Sequence, residues 1–168
     1  MSPTCLVFTT EPAGANYAAL IDFCCSEASS FLCVVRDPHL DPGASILTHL
    51  VRLAPFLRGS ARVTSWPGTE LLAGHATLYR YGVGHGLQGA LANVATDLFD
   101  WLQPRAPEDP CFQRADGTPL LVTTSHERDA YLLLQEHEFH RLRFAHPGLW
   151  ACLTRESELP PPAEGEAD

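Results

Sequence analysis

The chain has 168 residues, 45 % of them hydrophobic and 18 % charged, the balance of a globular protein long enough to close one core. Its net charge of −9 comes from 20 acids against 11 bases, every base being Arg. No apolar run reaches the ~18 residues of a membrane helix, and no cluster of bases is available to grip a phosphate backbone, so membrane and nucleic-acid partners are not expected. Residues 1–5 place no basic group ahead of an apolar stretch, which argues against a signal peptide and for a cytoplasmic protein. The Arg-only basic set, with abundant Ala, Gly, Pro and Leu, reads as the codon bias of a GC-rich bacterial genome. Charge is uneven along the chain. Residues 156–168 hold five acids and no base, and the remaining 155 residues hold 15 acids and 11 bases. The expected organisation is one globular unit over 1–155 and an acidic, disordered tail over 156–168.

In chain order, residues 4–10 form a β-rich apolar run. A helical pattern follows, with Tyr17, Leu20, Ile21, Cys24 and Ala28 on one face. Residues 30–36 read as a strand whose unbroken apolar core implies burial on both faces, as in a parallel sheet. Asp41 and Pro42 carry the start signals of a helix that Pro55 and Gly59 end. Strands are expected at 61–66 and 75–82 around a Pro67-Gly68 turn, then a long helix over 86–103. Residues 104–110 (PRAPEDP) read as a loop. The strands expected at 111–114, 119–125 and 130–134 make an antiparallel meander, followed by a helix over 135–145 and a short helix within 149–155. The predicted fold is therefore mixed α/β. One sheet begins with a parallel βαβα unit and ends in the antiparallel meander, with helices covering it.

Six cysteines are expected to be buried free thiols, since no CxxC spacing or secretory address suggests disulfides or zinc. Trp66, Trp101 and Trp150 are interface anchors if exposed.

Four places could carry chemistry. Gly84-His85-Gly86-Leu87-Gln88-Gly89 matches GxGxxG between a strand and a helix, where glycines let amides approach a phosphate. The segment Arg80-Tyr81-Gly82-Val83-Gly84 resembles the acyl-CoA pyrophosphate loop of N-acetyltransferases. That family carries Gln or Arg three places before the first glycine; here Tyr79 stands there and Arg80 is one place off. Taken together, the GxGxxG match and this resemblance would make Arg80, Gly82, Gly84, His85, Gly86 and Gly89 the cofactor contacts. The second place is the sheet end where strands 4–10 and 30–36, if parallel, would gather Thr9, Thr10, Glu11, Arg36, Asp37 and His39. The third is the polar turn Ser125-His126-Glu127-Arg128-Asp129, in which neighbouring side chains point to opposite faces. His126, Glu127, Arg128 and Asp129 therefore read as a rim that contacts a partner. The fourth, Glu136-His137-Glu138-Phe139-His140, falls one residue short of HExxH and lacks a third ligand nearby, so it reads as exposed polar residues on a helix.

None of the four assembles a nucleophile, a base and an orienting group. The leading expectation is a non-enzymatic, cytoplasmic bacterial binding protein with no bound cofactor. It would meet another protein, possibly a basic one, through an acidic surface, either to neutralise a toxin or to serve as an adaptor in an assembly. The alternative is a small transferase that binds acyl-CoA or a nucleotide at Gly82–Gly89. Sequence leaves the oligomeric state open.

Overall fold

The structure, a computed structural model, describes residues 3–36 and 44–160. In chain order the elements are β1 (Thr4–Phe8), α1 (Ala15–Glu27), β2 (Ser30–Arg36), α2 (Ala44–Leu53), β3 (Leu57–Val63), β4 (Ser65–Trp66), β5 (Thr69–Glu70) and β6 (Ala76–Gly82). Then come α3 (Leu87–Ala92), β7 (Glu108–Gln113), β8 (Pro119–Thr124), β9 (Asp129–Leu134), α4 (Glu136–Ala145), α5 (Pro147–Trp150) and β10 (Leu153–Arg155). Short 3-10 turns at Leu98–Asp100 and Ser125–Glu127 lie between them.

Eight strands form one sheet in the order β10-β1-β9-β8-β7-β2-β6-β3. Every neighbouring pair is antiparallel. The mixed α+β character and the meander β7-β8-β9 match expectation, whereas the parallel βαβα start does not form. Between β1 and β2 lie β9, β8 and β7. The apolar run of β2 does report burial on both faces, but an antiparallel sheet supplies it here. On one face α1, α3, α4 and α5 set Leu20, Phe23, Leu91, Leu142 and Leu149 against Leu6, Phe31, Tyr81, Phe112 and Leu132. Trp101 lies fully inside this layer and donates from Nε1 to Tyr17 Oη at 2.8 Å.

The other face is closed in part by the β4–β5 hairpin, which packs Trp66 against Val34 and Ala76. Its turn sits directly on β8. Gly68 has φ +85°, and a Cβ there would fall 2.7 Å from Val122 Cγ1. Gly68→Ala should therefore lower stability by about 1–3 kcal/mol, through both the left-handed backbone and the overpacked contact. Thermal unfolding of the variant checks this, with Gly84→Ala as a control, because a Cβ at Gly84 meets nothing within 4 Å.

Four further expectations change. Gly59, read as the end of a helix, lies inside β3, because α2 stops at Leu53. The helix expected over 86–103 stops at Ala92. The next segment is stitched to the loop before α1, where Gly14 N–H donates to Thr96 O at 2.9 Å and Leu98 N–H to Pro12 O at 3.1 Å. The expected loop 104–110 instead contributes Glu108, Asp109 and Pro110 to β7, an interior strand of the sheet. A register shift opposite Leu32 and Val34 accommodates Pro110, which has no N–H to give to the ladder. The segment 149–155 is divided between the end of α5 and β10, and β10 pairs with β1.

All six cysteines are free. Burial raises the thiol pKa of Cys5 and Cys25 to about 11 and that of Cys111 to about 12, so none of these three is a thiolate at neutral pH. Among the described residues no helix is long and apolar enough to cross a membrane. Asp41 and Pro42 lie outside the described residues, as do 161–168 of the expected tail, while Glu156–Glu158 form a 3-10 turn.

Candidate functional site

Although β1 and β2 are not neighbours, alternation across four strand pairs makes them run the same way, so both carboxyl ends, with that of β8, reach one end of the sheet. There the second and third candidate places of the sequence meet. Arg36, the last residue of β2, extends over the buried start of β7. Its Nε donates to Glu108 Oε2 at 2.7 Å, and its Nη2 lies 3.6 Å from Asp109 Oδ2. Its guanidinium stacks 5.3 Å above the Trp66 ring. Its backbone N–H donates to Gln103 Oε1 at 2.7 Å, and Gln103 N–H donates to Glu108 Oε1 at 3.3 Å.

Asp109 ties three elements together. Its Oδ2 accepts from Trp66 Nε1 at 2.9 Å and its Oδ1 from Ser125 N–H at 2.7 Å, while its own N–H donates to Ser125 Oγ at 3.2 Å. The residue is 1 % exposed. Its φ is +55°, as is that of Arg128, and these two are the only non-glycine residues with positive φ among those described. Asp tolerates this conformation through its short polar side chain, and Arg128 adopts it where the Ser125–Glu127 turn closes. Both therefore sit at the same sheet end, held by surrounding hydrogen bonds.

The exposed rim is residues 126–129. His126 Nδ1 lies 3.2 Å from Arg36 Nη2. A guanidinium only donates, so Nδ1 is the acceptor and the ring proton is on Nε2, which faces Glu127 Oε1 at 3.6 Å. Arg128 pairs with Glu11 and stacks over Phe99 at 5.2 Å, and Phe99 N–H donates to Glu11 Oε1 at 3.0 Å. Among the described residues, Glu11, Asp97, Asp100, Glu108, Asp109, Glu127 and Asp129 lie on or beside this end, with Arg36, Arg62, Arg105 and Arg128 as bases. The excess is acidic.

Glu108, Asp109 and His126 bring ligand atoms within 4.8 Å of one another, and so do Glu27, His137 and Glu138. In each set arginine occupies the position a cation would take. Arg36 bridges the first, while Arg114 and Arg141 bind the acids of the second. A dication would have to displace a guanidinium.

The other predicted residues lie elsewhere. Arg80 projects from β6 on the sheet face opposite α3 and donates to Gln113 Oε1 at 2.8 Å. Gly84, His85 and Gly86 form an exposed turn, with Gly86 at φ +93° as the N-cap of α3, and Gly89 lies inside that six-residue helix. Gly82 is covered by the Arg58 side chain. The turn and Arg80 are thus not brought to a common pocket. Asp37 and His39 lie outside the described residues. Trp66 and Trp101 are buried, so they are not exposed anchors.

At the opposite end of the sheet the fourth candidate shows a different correction. Glu138, read as exposed, is 2 % exposed. It accepts from Arg114 Nε at 2.7 Å and Nη2 at 2.5 Å, and from Gln135 N–H at 2.7 Å. Arg114 donates further to Pro119 O at 2.8 Å and Leu133 O at 2.6 Å, which clamps the ends of β7, β8, β9 and α4. Sequence reasoning missed Glu108, Asp109, Arg114 and Glu138 as partners. The available signal was Gln135 and Glu138 at capping-box spacing.

No family model, curated protein or solved structure matches the chain. What defines it is therefore its own build, an antiparallel α+β sheet with one acidic, arginine-bridged end.

Proposed function

We propose that the chain is a non-enzymatic binding protein that docks a basic partner protein on the acidic sheet end, with His126, Glu127, Arg128 and Asp129 as the contacting rim. Neutralising a toxin and holding a component in an assembly are the two roles that suit such a surface. One observation carries the reading. Among the described residues, two buried carboxylates, Glu108 and Asp109, share one guanidinium just beneath an exposed rim that carries Glu127 and Asp129. Rim acids would steer the approach of a partner's Arg or Lys.

The chemistry of the cluster favours holding over reacting. Ser125 Oγ is buried and accepts from Asp109 N–H, and the lone pair of His126 Nδ1 faces Arg36 rather than a hydroxyl. A nucleophile needs its base within hydrogen-bond reach, and here the base is turned to another group.

Affinity capture with the wild-type chain and with Glu127→Arg/Asp129→Arg tests the proposal. Wild type should retain one stoichiometric basic protein at low salt, and the charge-reversed variant should lose it by about tenfold or more. Equal retention by both would contradict it. So would a saturable rise in melting temperature with acetyl-CoA that Gly84→Trp abolishes.

A further inference from the structure

The two edges of the large sheet are built differently. One edge is β10, only three residues long (Leu153–Arg155), a length that leaves little to pair with. The other is β3, seven residues long (Leu57–Val63) and exposed along its first six. It pairs with β6 on one side, and no described strand pairs with its outer side. Its centre, Gly59-Ser60-Ala61, has no proline, no charge and no bulky side chain to obstruct a neighbour. The only irregularity is the register shift between Leu57 and Gly59, at the strand's start.

Charge along the chain is uneven here too, and Arg58 and Arg62 lie on β3 itself. Residues 44–96, which span α2, β3, β6 and α3, hold Arg52, Arg58, Arg62 and Arg80 against a single acid, Glu70. Elsewhere the chain has seven arginines against nineteen acids. Exposed apolar side chains accompany the arginines, with Leu47 and Val51 one turn apart on the outward face of α2 and Leu57 at the start of β3.

We infer that β3 is a second docking surface, which takes an acidic, extended segment of another protein as a ninth strand. Main-chain hydrogen bonds along the open edge supply affinity that depends little on sequence, and the arginine-rich flank selects for acids. A second copy of this chain is a poor occupant. Antiparallel pairing of two β3 strands about Ser60 would place Arg58 of one copy opposite Arg62 of the other, and like charges directly opposed destabilise a strand pair. This surface is the open edge two strands away from β2, and it does not depend on the reading given for the acidic sheet end.

The test uses the full 15N-labelled chain and two peptides, acetyl-Thr-Glu-Val-Glu-Val-Glu-Thr-amide and its analogue with Lys in place of each Glu. The acidic peptide should shift the amides of Leu57–Ala61 saturably and slow their hydrogen exchange. Binding should weaken about threefold or more for the Lys analogue and for Arg58→Glu. A chain that gives no saturable shifts up to about 2 mM peptide overturns the inference, leaving the edge arginines as guards against pairing. Equal binding of the two peptides overturns it as well, as do shifts confined to β10.

Discussion

Replacing Glu138 with Leu should cost about 3–5 kcal/mol, the loss expected when one member of a buried ion pair is removed and the other stays inside. Arg114 and Glu138 have side chains only 12 % and 2 % exposed, and their two-point contact joins β7 to the first turn of α4. For a chain of this size that is a fall in melting temperature of roughly 10 °C. Arg114→Met should cost at least as much, because it also unpairs the carbonyls of Pro119 and Leu133. The double variant, Arg114→Met with Glu138→Leu, should recover only part of the loss, since the buried charge is gone but the two Arg114 bonds to those carbonyls are still missing. The pair also predicts a pH dependence. Burial pushes the Glu138 carboxyl up, but the Arg114 guanidinium and the Gln135 amide outweigh it and hold the pKa below the ordinary 4.5. A depressed folded value means the stabilisation is complete above pH 4.5 and is lost as pH falls through the folded pKa. Acid unfolding of Glu138→Gln should therefore depend less steeply on pH below that point than wild type does. Equal slopes would contradict this account of the pair.

Asp109→Ala should have the next largest effect, about 3 kcal/mol or more. It removes the acceptor of two buried donors, Trp66 Nε1 and Ser125 N–H, each costly to leave unmade. Alanine also lacks the side chain that makes φ +55° tolerable to Asp. The local signature should be release of the β4–β5 hairpin, seen as a red shift in the tryptophan emission that Trp66→Phe abolishes. Asp109→Asn keeps one acceptor oxygen and the same backbone tolerance, so it should fall between wild type and the alanine variant. If Asp109→Ala unfolds like wild type and leaves Trp66 emission unchanged, the carboxylate does not hold the sheet end together.

The sequence disclosed individual strands better than their arrangement. The run Phe31 to Val35 announces a strand covered on both faces, and β2 is that strand. Burial says nothing of direction, however. The second cover is the hairpin carrying Trp66 rather than crossover helices, so β2 is buried on both faces without a parallel neighbour. β7 was illegible because Pro110 and the acids Glu108 and Asp109 look like a loop; only the folded sheet supplies the guanidinium and amide that let them lie inside it. The long helix after Gly86 was overextended because Leu87, Leu91 and Leu98 keep helical spacing and all are buried. Contacts to Pro12 and Gly14, distant in sequence, end it early. At the site, the turn 126–129 and the strand end at Arg36 could each be read alone. Their meeting depends on a strand order that places β7 between β8 and β2, which no local pattern encodes.

The most direct test of a docking role for the acidic sheet end is site-specific photo-crosslinking from position 126 in cells, with position 144 as the control, since Phe144 is exposed on α4 and outside the acidic cluster. The proposed function predicts a single adduct with a basic protein from position 126, reduced when Glu127 and Asp129 are reversed to Arg, and no such adduct from position 144. Failure to form an adduct at 126, or formation of the same adduct from both positions, would contradict it.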